Sequence, residues 1–130
     1  MNPSAKTIGA ITLFVADVQQ SKTWYQKVFD LPLLVEDQNS AVLAFDNTVI
    51  NLLAVRAAPE LIAPAHVAPP RSGAQMQFTI WVDDVDAASA TIQERGVTLL
   101  NGPMNRVWGQ RTICFADPDG HIWELAQQLR

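Results

Sequence analysis

The sequence predicts an α+β fold built from two βαβββ modules, and three observations carry that prediction. Thr12-Leu13-Phe14-Val15-Ala16-Asp17-Val18 is matched further along by Thr79-Ile80-Trp81-Val82-Asp83-Asp84-Val85. Each of these β-rich stretches ends in Asp-Val and runs into a segment of helical periodicity. Each half then closes on two short strands joined by a tight turn, at Asp46-Asn47 and at Asp117-Pro118-Asp119-Gly120. Self-similarity of this kind marks a doubled structural unit.

The elements follow in order. After the first strand, Asp17 is placed to cap a helix over 19–29, because its carboxylate can accept from the free N–H groups of the first turn. Gln20 lies three residues on, as in a capping box. Val18, Ser21, Trp24, Tyr25, Val28 and Phe29 share one mainly apolar helix face. Three strands are expected near 32–36, 41–45 and 48–53. The segment 56–75 carries Pro59, Pro64, Pro69 and Pro70, which exclude a continuous helix or a central strand. It reads as a surface linker with one helical turn near 60–62, or else as a flap over a pocket. In the second half Asp84 caps a helix over 86–95 whose inner face, Val85, Ala88, Ser89 and Ile92, is smaller. Gly96 stops that helix. Strands are expected near 98–100, 111–115 and 121–126. The chain is thus one domain, with module one at 8–55, the linker at 56–75 and module two at 76–127.

Composition narrows the function. A chain of 130 residues with 48% hydrophobic and 17% charged residues suits a single globular domain with a sizeable core. The net charge of −4 and the lack of a Lys/Arg cluster argue against a nucleic-acid partner. Cys114 is the single cysteine, which excludes an internal disulfide and fits a reducing compartment. Lying in the run Thr112-Ile113-Cys114-Phe115, it reads as a buried structural thiol. The first residues hold no apolar signal core and no run of about 18 apolar residues occurs, so neither export nor a membrane span is expected. A cytoplasmic protein is the default.

The final hairpin holds the one residue that demands a functional account. In the turn, Pro118 fixes φ, Asp117 can bond the backbone ahead of it and Gly120 supplies a positive φ. Just beyond, Glu124 places a carboxylate in the apolar strand Ile122-Trp123-Glu124-Leu125. Burying it is costly unless a metal, a cation or a hydrogen-bond donor meets it.

The doubled βαβββ pattern, the Asp-Val strand ends, Trp24-Tyr25 and the ending Asp117-Pro-Asp-Gly-His-Ile-Trp-Glu resemble the vicinal oxygen chelate superfamily. This is the glyoxalase, bleomycin-resistance and extradiol-dioxygenase group, and the resemblance spans about 8–127. It implies two curved sheets around a cleft, formed within a chain or across a homodimer. In metal-binding members it implies ligands on the first and last strands of each half. Those positions fall here on Ala10, Asn51, Gln77 and Glu124. Alanine has no donor, and the two amides are neutral. One carboxylate among four positions is a poor set for zinc or for a hard cation, so no metal and no cofactor are expected. His121 alternates onto the side of Trp123, opposite Glu124, and reads as a turn residue. His66, in the linker, has no partner that the sequence supplies.

The same alternation puts Gln77, Thr79 and Trp81 on one face, and Thr12 and Phe14 on the equivalent face of the first half. With Asn51, and with Trp108 and Arg111 from the loop Trp108-Gly109-Gln110-Arg111, these form a candidate ligand-binding wall, part apolar with a few convergent polar groups. Arg106 and Arg111 are candidates to hold an anionic group. The bland alternative for Arg111 is pairing with a surface carboxylate. Two functions compete. One is a binding protein that sequesters a planar or aromatic small molecule without a metal. The other is a metal-dependent lyase, isomerase or dioxygenase acting on vicinal oxygens, with Glu124 as catalytic base or ligand. A structural remnant without a ligand is a third reading.

Overall fold

The computed structural model describes residues 5–130, which divide into two compact units, one ending at Val67 and one running from Ala68 to Arg130. The division falls inside the proline-rich linker.

The first unit is β1 (Ala10–Val15), α1 (Val18–Phe29), β2 (Leu33–Glu36), β3 (Ser40–Ala44) and β4 (Val49–Ala54). Its sheet has the order β1-β4-β3-β2, with β1 parallel to β4 and the remaining pairs antiparallel. After a single 3-10 turn at Val55–Ala57 comes α2 (Pro59–Ile62), the one helical turn expected of the linker. The second unit repeats the plan with β5 (Gln77–Trp81), α3 (Val85–Glu94), β6 (Asn101–Asn105), β7 (Gln110–Ala116) and β8 (Ile122–Gln128), in the order β5-β8-β7-β6. The two-module α+β architecture is therefore observed, as two separate four-stranded mixed sheets.

The two long helices start where the aspartates dictate. Asp17 Oδ1 accepts from the Gln20 backbone N–H at 3.1 Å, and Asp84 Oδ1 accepts from that of Ala87 at 3.1 Å. The first helix ends at Asp30, left-handed at φ 56°, whose N–H returns to the Gln26 carbonyl. Each helix then covers one side of its own sheet. Leu13, Val15, Ala41, Leu43, Ile50 and Leu52 are buried with Val18, Ser21, Tyr25 and Val28 of α1. In the second unit Ile113, Phe115, Trp123 and Leu125 are buried with Val85, Ser89 and Ile92 of α3. Each large apolar side chain removed from water in this way stabilises by about 1.5–3 kcal/mol. Among the described residues no helix is long and apolar enough to cross a membrane.

One strand is displaced from its expected place. The stretch 98–100 is not a strand; β6 runs instead through Asn-Gly-Pro-Met-Asn. Val97 and Leu100 gave the earlier segment its apolar look, but Val97 is buried beside the end of α3 while Leu100 is exposed. Pro103 is tolerated because β6 is an edge strand, where one missing donor need break no ladder. Gly102 is required there: its φ is +88°, and a Cβ would lie 2.3 Å from the Thr112 carbonyl oxygen. The register of β6 on β7 shifts at this point, between Asn101 and Met104.

The last turn forms as its residues predict. Asp117 Oδ1 accepts from the backbone N–H groups of Asp119 (2.9 Å) and His121 (2.8 Å), and Gly120 takes φ +94°. Arg71 closes over this turn, with its backbone N–H on the Asp119 carbonyl and its guanidinium on that of Pro118.

Candidate functional site

A helix covers one side of each sheet, and alternation along the strands presents the other residues on the opposite, helix-free face. In the second unit Thr79 lies beside Glu124 in the parallel pair, and Cys114 lies opposite Glu124 in the antiparallel pair. Thr79, Glu124 and Cys114 thus form a polar row across three strands. Thr79 Oγ1 donates to Glu124 Oε1 at 2.8 Å, so the carboxylate finds a hydroxyl donor. The Cys114 thiol reaches Gln77 Oε1 at 3.9 Å. Burial raises the Cys114 pKa above its ordinary value and the Glu124 charge raises it further, against a smaller lowering by Arg106. The sulfur is accordingly a protonated thiol at neutral pH.

Two aromatic groups lie past this row, toward the C-terminal end of β8. Trp81, beside Ala126 on the edge strand β5, is 60% exposed. Trp108, in the turn between β6 and β7, is 64% exposed and donates through Nε1 to Gln110 Oε1 at 3.2 Å. The Arg106 guanidinium carbon lies 6.0 Å from the Trp108 ring centroid. Arg106 also donates to Thr112 Oγ1 at 3.0 Å and to Asn101 Oδ1 at 2.8 Å. Gln77, Thr79, Trp81 and Glu124 therefore share one face, as alternation requires.

Arg111 does not join them. It alternates with Thr112 and Cys114 onto the helix side of β7, where its guanidinium meets Asp86 of α3 at 3.0 Å and Asn105 at 3.1 Å. The surface-carboxylate reading of Arg111 replaces the ligand-binding one. Cys114 needs a second correction, because it is partly exposed on the open face rather than a core thiol. The run around it looks uniformly apolar, but Ile113 and Phe115 take the helix side and leave Thr112 and Cys114 opposite. A signal for this existed. Counting outward from the Asp117–Gly120 turn pairs Ala116 with Ile122, and hence Cys114 with Glu124.

In the first unit Thr12, Phe14 and Asn51 also share the open face. Thr12 lies beside Asn51, Phe14 beside Leu53, and Val42 opposite Asn51. The Asn51 Oδ1 is buried and accepts no hydrogen bond among the described residues.

The positions that hold a metal by resemblance test poorly here. Ala10 offers no donor atom, Asn51 and Gln77 offer neutral amides, and one Glu124 oxygen is occupied by Thr79. Among the described residues no group of three or more His, Cys, Asp or Glu side chains is arranged to hold a metal ion. This donor set does not fit a divalent cation.

Comparison with known proteins agrees with the fold. Residues 7–125 match the family model described as the Glyoxalase/Bleomycin resistance protein/Dioxygenase superfamily. The chain belongs to this superfamily. It is 25% identical over 120 residues to the metallothiol transferase FosB of Staphylococcus saprophyticus, covering 92% of this chain and 76% of that one. It is 29% identical over 118 residues to the FosB of Bacillus licheniformis, covering 91% and 73%. Among solved structures, a superfamily member from Nocardioides superposes with a TM-score of 0.89 at 21% identity, over 99% of this chain and 87% of that one. TnmS3, an antibiotic binding protein from a Streptomyces species, superposes with a TM-score of 0.73 at 27% identity, over 98% and 99%.

Proposed function

We propose that this superfamily member binds a planar or aromatic small molecule, holds it without a metal, and does so on the open face of its second unit. The observation that carries the reading is the polar row Thr79–Glu124–Cys114 with two largely exposed tryptophans past it, toward the C-terminal end of β8. Exposed indoles offer flat apolar area at low entropic cost. The strands beside them offer an acceptor at Glu124, a donor at the Gln77 amide and a thiol at Cys114. Such a mixture fixes the orientation of a small ligand. The similarity to an antibiotic binding protein supports sequestration as the purpose.

The test is titration with a neutral three-ring probe, 9-hydroxymethylanthracene, followed by tryptophan fluorescence and by calorimetry. Saturable binding, weakened in Trp81→Ala and in Trp108→Ala, is expected. Binding that both variants leave unchanged would move the site elsewhere.

A second reading has its own support. The FosB relatives are named metallothiol transferases, and Glu124 retains a carboxylate at a position where metal-binding members carry a ligand. Titration with zinc, nickel and manganese separates the two readings. Stoichiometric uptake that Glu124→Ala abolishes would favour a metal-dependent enzyme. The binding reading expects no such uptake. Cytoplasmic residence and a homodimer belong to the same proposal, and size-exclusion chromatography with light scattering tests the latter.

A further inference from the structure

At the C-terminal ends of β5 and β8 a surface cavity of about 570 Å³ opens, lined by Trp81, Asp83, Gln128 and Leu129 among others. It lies at one end of the binding face, because Trp81 belongs to both. Two features of this cavity do not serve the fold. Trp81 leaves 60% of its surface in water, although an indole can bury a large apolar area. Asp83 takes no hydrogen bond or ion pair among the described residues, whereas the neighbouring Asp84 caps α3. The carboxylate at 83 is spent on nothing else in the unit.

Position adds a second carboxylate. Trp81 lies beside Ala126 in the β5–β8 pair, and Glu124 precedes Ala126 by two residues on the same face. Glu124 is therefore a diagonal neighbour of Trp81, at a spacing of roughly 7–8 Å. An exposed indole thus stands between Asp83 at the strand end and Glu124 along the strand. Arg106, whose charge acts on Cys114 of the polar row, is held by Thr112 and Asn101. Arg130 also lines the cavity and is the one positive group among the described residues of its wall.

We infer that this cavity is a subsite for an organic cation, a quaternary or protonated nitrogen carried on the ligand's ring system. The nitrogen is held over the Trp81 indole and neutralised by Asp83. The chemistry is the attraction of a positive charge to an aromatic face, strongest for tryptophan, reinforced by an adjacent carboxylate. The inference rests on the binding role proposed above and specifies which ligands that face selects.

The experiment compares three ring systems of one size. N-methylacridinium is the cation, 9-hydroxymethylanthracene the neutral probe and 9-anthracenecarboxylate the anion, each titrated calorimetrically into the whole chain. The cation should bind about tenfold more tightly than the neutral probe, and the anion more weakly than either. Asp83→Asn should reduce the advantage of the cation to about threefold or less while the neutral probe is unaffected. Trp81→Ala should weaken both probes, and Arg130→Ala should strengthen the cation alone. Asp83 is exposed and unpaired, so its variant should fold, and circular dichroism checks that. Equal binding of all three probes, or an advantage that survives Asp83→Asn, overturns the subsite and leaves the binding role standing. Failure of every probe to bind overturns both.

Discussion

The two units share a topology and a register, yet they fill equivalent positions with opposite chemistry. Thr12 beside Asn51 with Val42 opposite corresponds to Thr79 beside Glu124 with Cys114 opposite. In the first unit this gives a threonine, an amide whose buried oxygen has no partner among the described residues, and a valine. In the second it gives a hydroxyl bonded to a carboxylate and a thiol. Phe14 in the first unit corresponds to the exposed Trp81 in the second. The helix side shows a different kind of exchange. Tyr25, Leu43 and Ile50 are buried in the first unit where Ile92, Phe115 and Trp123 are buried in the second. One unit places its bulk on the helix and the other on the sheet. The large side chains move between helix and sheet from one unit to the other, while the open face changes its polar chemistry.

Removing a sheet-side ring breaks this comparison most severely. Phe115→Ala should cost about 3–5 kcal/mol in urea unfolding, because α3 carries no large side chain able to fill the cavity. Giving the second helix the bulk of the first is the converse. Ile92→Tyr should overpack against Phe115 and Trp123 and cost about 1–3 kcal/mol by the same measurement. A cost below that range would show that the second core has room for a larger helix side chain.

Ligand titration sharpens the comparison of the open faces. Trp81→Ala should weaken binding of the neutral aromatic probe about tenfold, equivalent to roughly 1.4 kcal/mol. Phe14→Ala, at the matching position, should change it by less than about threefold. A reversed order would place binding on the first unit.

Stability reports on the mismatched polar groups. Asn51→Leu removes a buried acceptor that no described residue satisfies and should raise stability by about 1 kcal/mol, read as a rise in Tm.

The smallest effect is a titration. The Cys114 pKa is raised by burial and by the Glu124 charge, so alkylation by iodoacetamide should accelerate only above the ordinary thiol range. Glu124→Gln should lower the onset pH, and Arg106→Ala should raise it. The sign for stability follows. The folded thiol holds its proton to higher pH than the unfolded one, so its contribution is complete below the unfolded pKa. That contribution is lost as the pH climbs through the folded value.

Much of this molecule was legible in its residues. Asp17 and Asp84 marked the helix starts because short-range capping chemistry is local. The Asp117–Gly120 turn was equally readable, and strand alternation placed Gln77, Thr79 and Trp81 on one face. The edge strand β6 was not legible. Its Asn-Gly-Pro-Met-Asn carries no apolar pattern, and its place depends on the close approach of Gly102 to the Thr112 backbone.

What the sequence determined by itself was the doubled unit, the helix caps, the final turn and the family. All of these rest on contacts between residues close along the chain or on repetition within it. What only the tertiary structure decided was partnership across strands. Thr79 lies 45 residues from Glu124, and Arg111 lies 25 residues from Asp86. Composition could not say that the first pair faces away from the helix and the second toward it. Side-chain alternation fixes the two faces of a strand, but only its neighbours decide which of them the helix covers and which meets a ligand.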